Sequence, residues 1–272
     1  MSRWIASSVT ANGINLHYYR TGSDKPPLVL AHGLTDSGLC WAPVVRVLET
    51  DYDCIMVDAR GHGYSDAPES GYTNDDHAAD YAGLLRALGL DRPAIIGHSM
   101  GGGTAAQVAA SYPDLLRGAI LEDPPWRPQG TATSLEQRRA HAEPWRAEVN
   151  ANRDRSLTTL LAQGRQQRPT WSDTELDQWA LAKQQVSPRA LDYALYPSKP
   201  WWEIVEQITC PTLLVIGEGE GAIVDPATAA QISKRNPKIN VASIAGAGHS
   251  IRREGFADYV AAVSSFLAEL YA

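Results

Sequence analysis

Cysteine is scarce in this 272-residue chain: Cys40, Cys54 and Cys210 are all there are. An odd number at wide spacing supplies neither a disulfide framework nor a metal-ligand pattern. Cys54 and Cys210 adjoin apolar runs and read as buried free thiols. Long apolar runs are missing too, since none approaches the ~20 residues that span a bilayer. The opening M-S-R-W-I-A-S-S-V-T lacks the apolar stretch of a secretory signal. A cytoplasmic protein without membrane contact is therefore expected. Clustered cations are absent: Arg138-Arg139 and Arg252-Arg253 are only pairs, and the formal net charge is -7. That balance excludes a broad phosphate-binding surface, hence a nucleic-acid partner. With no phosphate loop, dinucleotide fingerprint or metal-ligand cluster, no cofactor and no metal are expected.

What the chain does contain is an alternation of strand-like and helix-like segments. Residues are 44% hydrophobic and 20% charged, enough for one large core. Gly13–Arg20 alternates apolar and polar positions, the pattern of a strand with one wet face. Pro27–Ala31, Cys54–Val57, Ala94–Ile96, Gly118–Leu121 and Pro211–Ile216 are short continuous apolar runs. Such runs suit strands covered on both faces of a parallel sheet. Helical spacing appears at Gly38–Leu48, and from the candidate caps Asn74 and Asp75 through the stripe Tyr81, Leu84, Leu85, Leu88 to Gly89. It recurs at Met100–Tyr112, Pro226–Arg235 and Gly255–Leu270, the last with Phe256, Tyr259, Val263, Phe266 and Leu270 on one face. A strand is expected at Ile239–Ala245. The alternation predicts an α/β fold with a doubly wound, mostly parallel sheet.

Between Pro124 and Val205 the alternation stops. This stretch holds six of the eight tryptophans (126, 145, 171, 179, 201 and 202) and no buried-strand run. Helices are expected at Ser134–Asn150, Ser156–Gln167 and Thr174–Gln185. The domain reading is a core of residues 1–123 and 206–272 carrying a helical cap, 124–205.

The sharpest motif is Gly97-His98-Ser99-Met100-Gly101, set between a strand and a helix. A serine on so tight a turn needs glycine neighbours, because side chains there would collide. The turn also aims the first free N–H groups of the helix at a reacting carbonyl. Upstream stands His32-Gly33-Leu34, downstream Asp58-Ala59-Arg60-Gly61-His62-Gly63-Tyr64-Ser65, and near the end Gly246-Ala247-Gly248-His249.

In these motifs the chain closely resembles the α/β-hydrolase family over nearly its whole length. The resemblance implies an eight-stranded sheet, a nucleophile at Ser99, a general base at His249, and an oxyanion hole from the backbone N–H groups of Leu34 and Met100. The Asp58–Ser65 segment is read as a structural turn, with His62 as a turn residue, and His98 as facing away from the chemistry. Gly33 and Trp126 are expected beside the substrate. For the triad acid, most of the family would place it in Gly217-Glu218-Gly219-Glu220, where Glu220 holds the usual position. Some relatives take it instead from the strand end that here carries Asp123. Asp123, Glu220 and, behind them, Glu218 or Asp225 stay open.

Serine, where epoxide hydrolases and haloalkane dehalogenases of this fold use aspartate, implies an acyl-enzyme. The expected activity is that of a serine esterase or lactonase cleaving a carboxylic ester or lactone of a medium-sized apolar or aromatic substrate. Alternatives on the same residues are C–C bond hydrolysis, cofactor-free perhydrolysis, or a receptor-like binding protein with slow hydrolysis. Many tryptophans of the insertion also suit plain packing. The expected partner is the small-molecule substrate, and a homodimer is compatible with this reading.

Overall fold

The computed structural model describes residues 4–128, 133–196 and 198–272. The first three residues, and positions 129–132 and 197 of the expected insertion, lie outside the described residues. Eight strands form one sheet: β1 (Ile5–Ala11), β2 (Ile14–Arg20), β3 (Pro27–Ala31), β4 (Asp53–Val57), β5 (Ala94–His98), β6 (Gly118–Glu122), β7 (Thr212–Gly217) and β8 (Ile239–Ile244). Their spatial order is 1-2-4-3-5-6-7-8. β2 pairs antiparallel with both β1 and β4; every other pairing is parallel.

β1 was not legible as a strand, because it is an edge element whose residues are mostly exposed. The available signal was Asn12-Gly13, which closes the β1–β2 hairpin with φ of 49° and 79°. Both central residues at positive φ make the turn whose twist matches the flanking strands.

Helices cover both faces. On one side pack α2 (Asn74–Ala87), α3 (Met100–Ser111), α7 (Trp201–Gln207) and α8 (Pro226–Arg235). On the other pack α1 (Ala42–Leu48) and α10 (Phe256–Tyr271). The α2 stripe Tyr81, Leu84 and Leu85 is buried as its spacing predicts. Phe256, expected on the apolar face of the last helix, is exposed instead. The cap of α2 is Thr73 rather than Asn74 or Asp75: its side chain accepts from the Asp76 N–H while the Asp76 carboxylate accepts from the Thr73 N–H.

Between β6 and β7 lie α4 (Leu135–Arg153), α5 (Leu157–Gln167), α6 (Asp173–Gln185), a 3-10 segment (Pro188–Ala194) and α7. Leu160, Trp171, Leu176, Trp179 and Ala180 form a small core of their own among α5 and α6. The boundary expected at residue 205 falls inside α7, a helix the sequence reading did not contain. Trp201, Ile204 and Val205 of α7 belong to the main core. Among the described residues, no helix is long and apolar enough to cross a membrane. All three cysteines are buried and free.

Where β5 turns into α3, backbone meets backbone. A Cβ on Gly97 would run into the carbonyl oxygen of Gly101, and one on Gly101 into that of Ala31 on β3. Rigid main chain cannot yield as a side-chain tip can. Just beyond, the buried Glu122 carboxylate accepts from the Arg252 N–H at 2.9 Å and pairs with its guanidinium at 3.3 Å. Arg252 is itself 1% exposed and stacks on Trp41 at 4.3 Å. Burial raises the Glu122 pKa above the ordinary carboxylate value, and Arg252 opposes the rise.

Two outcomes follow. Gly97→Ala should cost more than about 3 kcal/mol of stability in urea denaturation, because the clash is with main chain. Arg252→Met should cost about 3–5 kcal/mol at neutral pH by leaving Glu122 buried and unpaired. Without Arg252 the folded pKa of Glu122 climbs further above its unfolded value. The part of the penalty due to Glu122 therefore vanishes where that carboxyl is protonated in both states and grows as pH rises. Urea midpoints at about pH 4 and about pH 7.5 should show the smaller loss at the lower pH.

Candidate active site

Ser99 sits at φ 52°, ψ -117°, a backbone conformation that an L-residue holds only when its surroundings impose it. The imposition is visible: its N–H donates to the Glu122 carbonyl at 2.9 Å, and its carbonyl accepts from Gly103 at 2.9 Å. The Ser99 Oγ lies 3.0 Å from Nε2 of His249. Nδ1 of His249 lies 2.6 Å from Oδ2 of Asp123. Asp123 is wholly buried, at φ 40°, and its carboxylate also accepts the N–H groups of Ile223 and Val224, each at 2.9 Å. With two N–H donors already upon it, the Asp123 carboxylate accepts from His249 as well, so Nδ1 of His249 carries the proton and Nε2 is free to accept from Ser99.

Of the four candidate acids the structure brings only Asp123 to the imidazole. The reason is register. His98 of β5 pairs directly with Glu122 of β6, so the next residues, Ser99 and Asp123, leave adjacent strands at the same level. The loop after β7 contributes donors instead of an acid, through Ile223 and Val224. Glu218 and Glu220 are exposed, and Asp225 caps α8 by accepting from Thr228 at 2.6 Å. The unusual glycine content of that loop also has a physical account. Gly219 donates to Ala247 at 2.7 Å, and a Cβ on Gly219 would stand 2.6 Å from the Gly246 carbonyl. Two main chains thus run in contact beside His249.

Leu34 follows β3 and Met100 is the first residue of α3, whose N–H has no partner within the helix. Among the described residues, neither N–H is donated to a carbonyl of the surrounding turns and loops. Gly33 lies against the nucleophile: a Cβ there would stand 3.3 Å from that of Ser99 and 2.8 Å from Nδ1 of His98. The turn at Leu34 is braced by two histidines. His32 donates through Nδ1 to its neighbour's carbonyl and accepts the Ala59 N–H at 3.0 Å. His62 donates to the Arg60 carbonyl and accepts the Thr35 N–H at 3.3 Å. Burial, reinforced by His32, pushes the His62 pKa down to about 3, so it stays a neutral acceptor. Asp58 collects the N–H groups of Gly38 and Tyr64 and leaves no room for a side chain at Gly63.

His98 does not point away from the site as expected. Its Nε2 lies 3.0 Å from the His249 carbonyl, to which it donates, and the two rings are 4.8 Å apart. Burial holds its pKa well below the usual value, with Arg252 adding to the effect. It is a neutral strut under the His249 loop. Sequence reasoning also missed Asp36, a buried carboxylate 3.2 Å from Arg252, 3.1 Å from Arg253 and 3.9 Å from Lys183. Burial opposes its ionisation, yet Arg253, Lys183 and Arg252 together hold its pKa far below the carboxylate range. The signal was Arg252-Arg253 directly after the late histidine, seen in sequence only as a charge pair.

Above Leu34 the insertion lays an apolar surface of Trp145, Val149 and Leu191. Trp126, expected beside the substrate, is 4% exposed within the main core, so its side chain serves packing. No group of three or more His, Cys, Asp or Glu side chains among the described residues is gathered closely enough to hold a metal ion.

A family model described as the alpha/beta hydrolase fold matches residues 26–254. N-formylmaleamate deformylase of Pseudomonas putida is 31% identical over 275 residues, covering 98% of both chains. 2-(Acetamidomethylene)succinate hydrolase of Mesorhizobium japonicum is 28% identical over 97% of this chain and 95% of its own. Among solved structures, a thermophilic esterase from Thermogutta terrifontis with malate bound aligns at a TM-score of 0.79 and 25% identity, covering 98% of this chain and 100% of that one. A match that takes in the parallel strands on both sides of the insertion makes this chain a member of the α/β-hydrolase fold family, and a hydrolase.

Proposed function

We propose that the protein hydrolyses the acyl bond of a small N-acyl amide through an acyl-enzyme on Ser99. The observation that carries the reading is the unbroken hydrogen-bond chain from Ser99 through His249 to Asp123, with the N–H groups of Leu34 and Met100 given to no turn or loop carbonyl among the described residues. Nε2 of His249 takes the Ser99 proton as Oγ attacks the carbonyl carbon. The carbonyl oxygen becomes an oxyanion held by the N–H groups of Leu34 and Met100, donors fixed before the reaction begins. Asp123 keeps the imidazole in its reactive tautomer and stabilises its cation. His249 then gives its proton to the leaving nitrogen, and the C–N bond breaks. Water, deprotonated by Nε2 of His249, then attacks the acyl carbon; the ester bond breaks, the acid leaves, and His249 returns the proton to the Ser99 Oγ.

The choice of an amide is supported by the two full-length relatives, whose names specify a formyl and an acetamido group on carboxylate-bearing skeletons. An ester or lactone of an apolar substrate is the second reading, with an alcohol as leaving group. The apolar surface over Leu34 favours it, as does the structural likeness to an esterase. The oxyanion hole and triad serve both; only the leaving atom differs.

Ser99→Ala and His249→Ala should each lower kcat by on the order of 10³ or more. Asp123→Asn should lower it by about 10³–10⁴, because the imidazole is left in the wrong tautomer. Glu220→Gln should turn over like the parent enzyme, and equal losses at Asp123 and Glu220 would contradict the assignment. Incubation with N-formyl and N-acetyl derivatives of small unsaturated dicarboxylates should release formate or acetate over many turnovers. Turnover confined to p-nitrophenyl acetate and butyrate would leave the ester reading in place of the amide one.

A further inference from the structure

We propose that Lys183, on the inserted helix α6, is a positioning residue for the oxyanion-binding turn, so that seating of the insertion on the core completes the catalytic site. The inference rests on the proposed role of the Leu34 N–H.

Thr35, the residue after Leu34, has φ +70°. For a β-branched side chain this is an outlier that needs outside support. Its three polar groups are all engaged. The N–H goes to His62, a core residue. The carbonyl and the hydroxyl both receive the Lys183 ammonium, at 2.9 and 2.6 Å. A single cation from the insertion thus grips two of the three handles of the strained residue. The same ammonium stands 3.9 Å from Asp36 and 5.2 Å from the Trp179 ring, with its side chain only 12% exposed.

The turn cannot absorb the loss of that grip locally. On one side Gly33 is pressed against Ser99 and His98. On the other, Asp36 is tied to Arg252 and Arg253 and closes the turn by donating its N–H to the Gly33 carbonyl at 3.0 Å. With both ends held, returning Thr35 to negative φ demands compensating rotations in Leu34, the residue whose N–H is to meet the oxyanion. A second tie between insertion and core follows the same line, since Arg253 stacks on Trp171 at 4.3 Å while pairing with Asp36. Helix α6 and the residues leading into it therefore touch the oxyanion turn and the segment just after His249 together.

The test is Lys183→Met alone, Thr35→Gly alone, and the two combined, assayed with p-nitrophenyl acetate or with the best amide found. Lys183→Met should lower kcat about tenfold or more with little change in KM, as a misplaced oxyanion donor does. Affinity for a trifluoromethyl ketone, whose hemiketal oxyanion mimics the transition state, should fall in proportion. Thr35→Gly should restore much of the loss in the double variant, because glycine holds positive φ without a clamp. Lys183→Gln, which keeps a polar head in the site, replaces Lys183→Met if the latter does not fold, and the same restoration is expected. Parent-like kcat in the Lys183 variant, a loss confined to KM, or a loss that Thr35→Gly leaves untouched would overturn the inference. Ser99→Ala separates the two levels. If it stays active the proposed function fails; if it is dead while Lys183→Met is fully active, only the positioning role fails.

Discussion

Everything catalytic in this molecule depends on main chain packed against main chain where β5 becomes α3. Gly97 and Gly101 touch backbone on sides where any other residue would carry a Cβ. That contact forces Ser99 into a conformation it would not choose and stands its hydroxyl clear of the sheet edge. The parallel pairing of β5 with β6 then decides what the hydroxyl meets. His98 opposite Glu122 sets Ser99 and Asp123 side by side at the end of the sheet, and the imidazole arriving after β8 can touch both.

Strain is concentrated there. Of the five non-glycine residues with positive φ among the described residues, three are Thr35, Ser99 and Asp123, all at the site. Each such conformation costs on the order of 1–3 kcal/mol and survives only where its surroundings over-determine it. Those surroundings are identifiable: Glu122 and Gly103 hold the Ser99 peptide groups, Val215 accepts the Asp123 N–H, and His62 with Lys183 occupies the polar groups of Thr35. Buried charges do similar work at longer reach. Asp36 and Glu122 share Arg252, while Arg253 and Lys183 complete the shell around Asp36. Buried ion pairs add little net stability, since desolvation offsets much of their attraction. Their value here is geometric: they link the turn that follows Leu34, the end of β6, the segment after His249 and the inserted helices.

Much of this could be read from the chain, and the parts that could not share a cause. The elbow, the late G-x-G-H, the H-G after β3 and the stripe of α2 are local signals in which neighbouring residues determine one another. β1 escaped notice because an exposed edge strand has no buried face to impose alternation, although Asn12-Gly13 marked its turn. α7 escaped because its two tryptophans looked like members of the insertion, whereas Trp201 is buried in the main core. Trp126 was misjudged in the same way. Composition says that a tryptophan is buried; it does not say against what.

The alternation of buried strands with helices, the serine on its bend and the histidine that answers it were determined by the sequence alone, because steric rules for glycine and the period of apolar residues act over a few neighbours. Which carboxylate completes the chain of hydrogen bonds was decided only in three dimensions. Along the chain Asp123 stands only slightly ahead of Glu220, and strand register, a relation between residues far apart in sequence, brings one to the imidazole and leaves the other in solvent. The bond between Lys183 and Thr35 spans 148 positions and has no local trace, for the same physical reason.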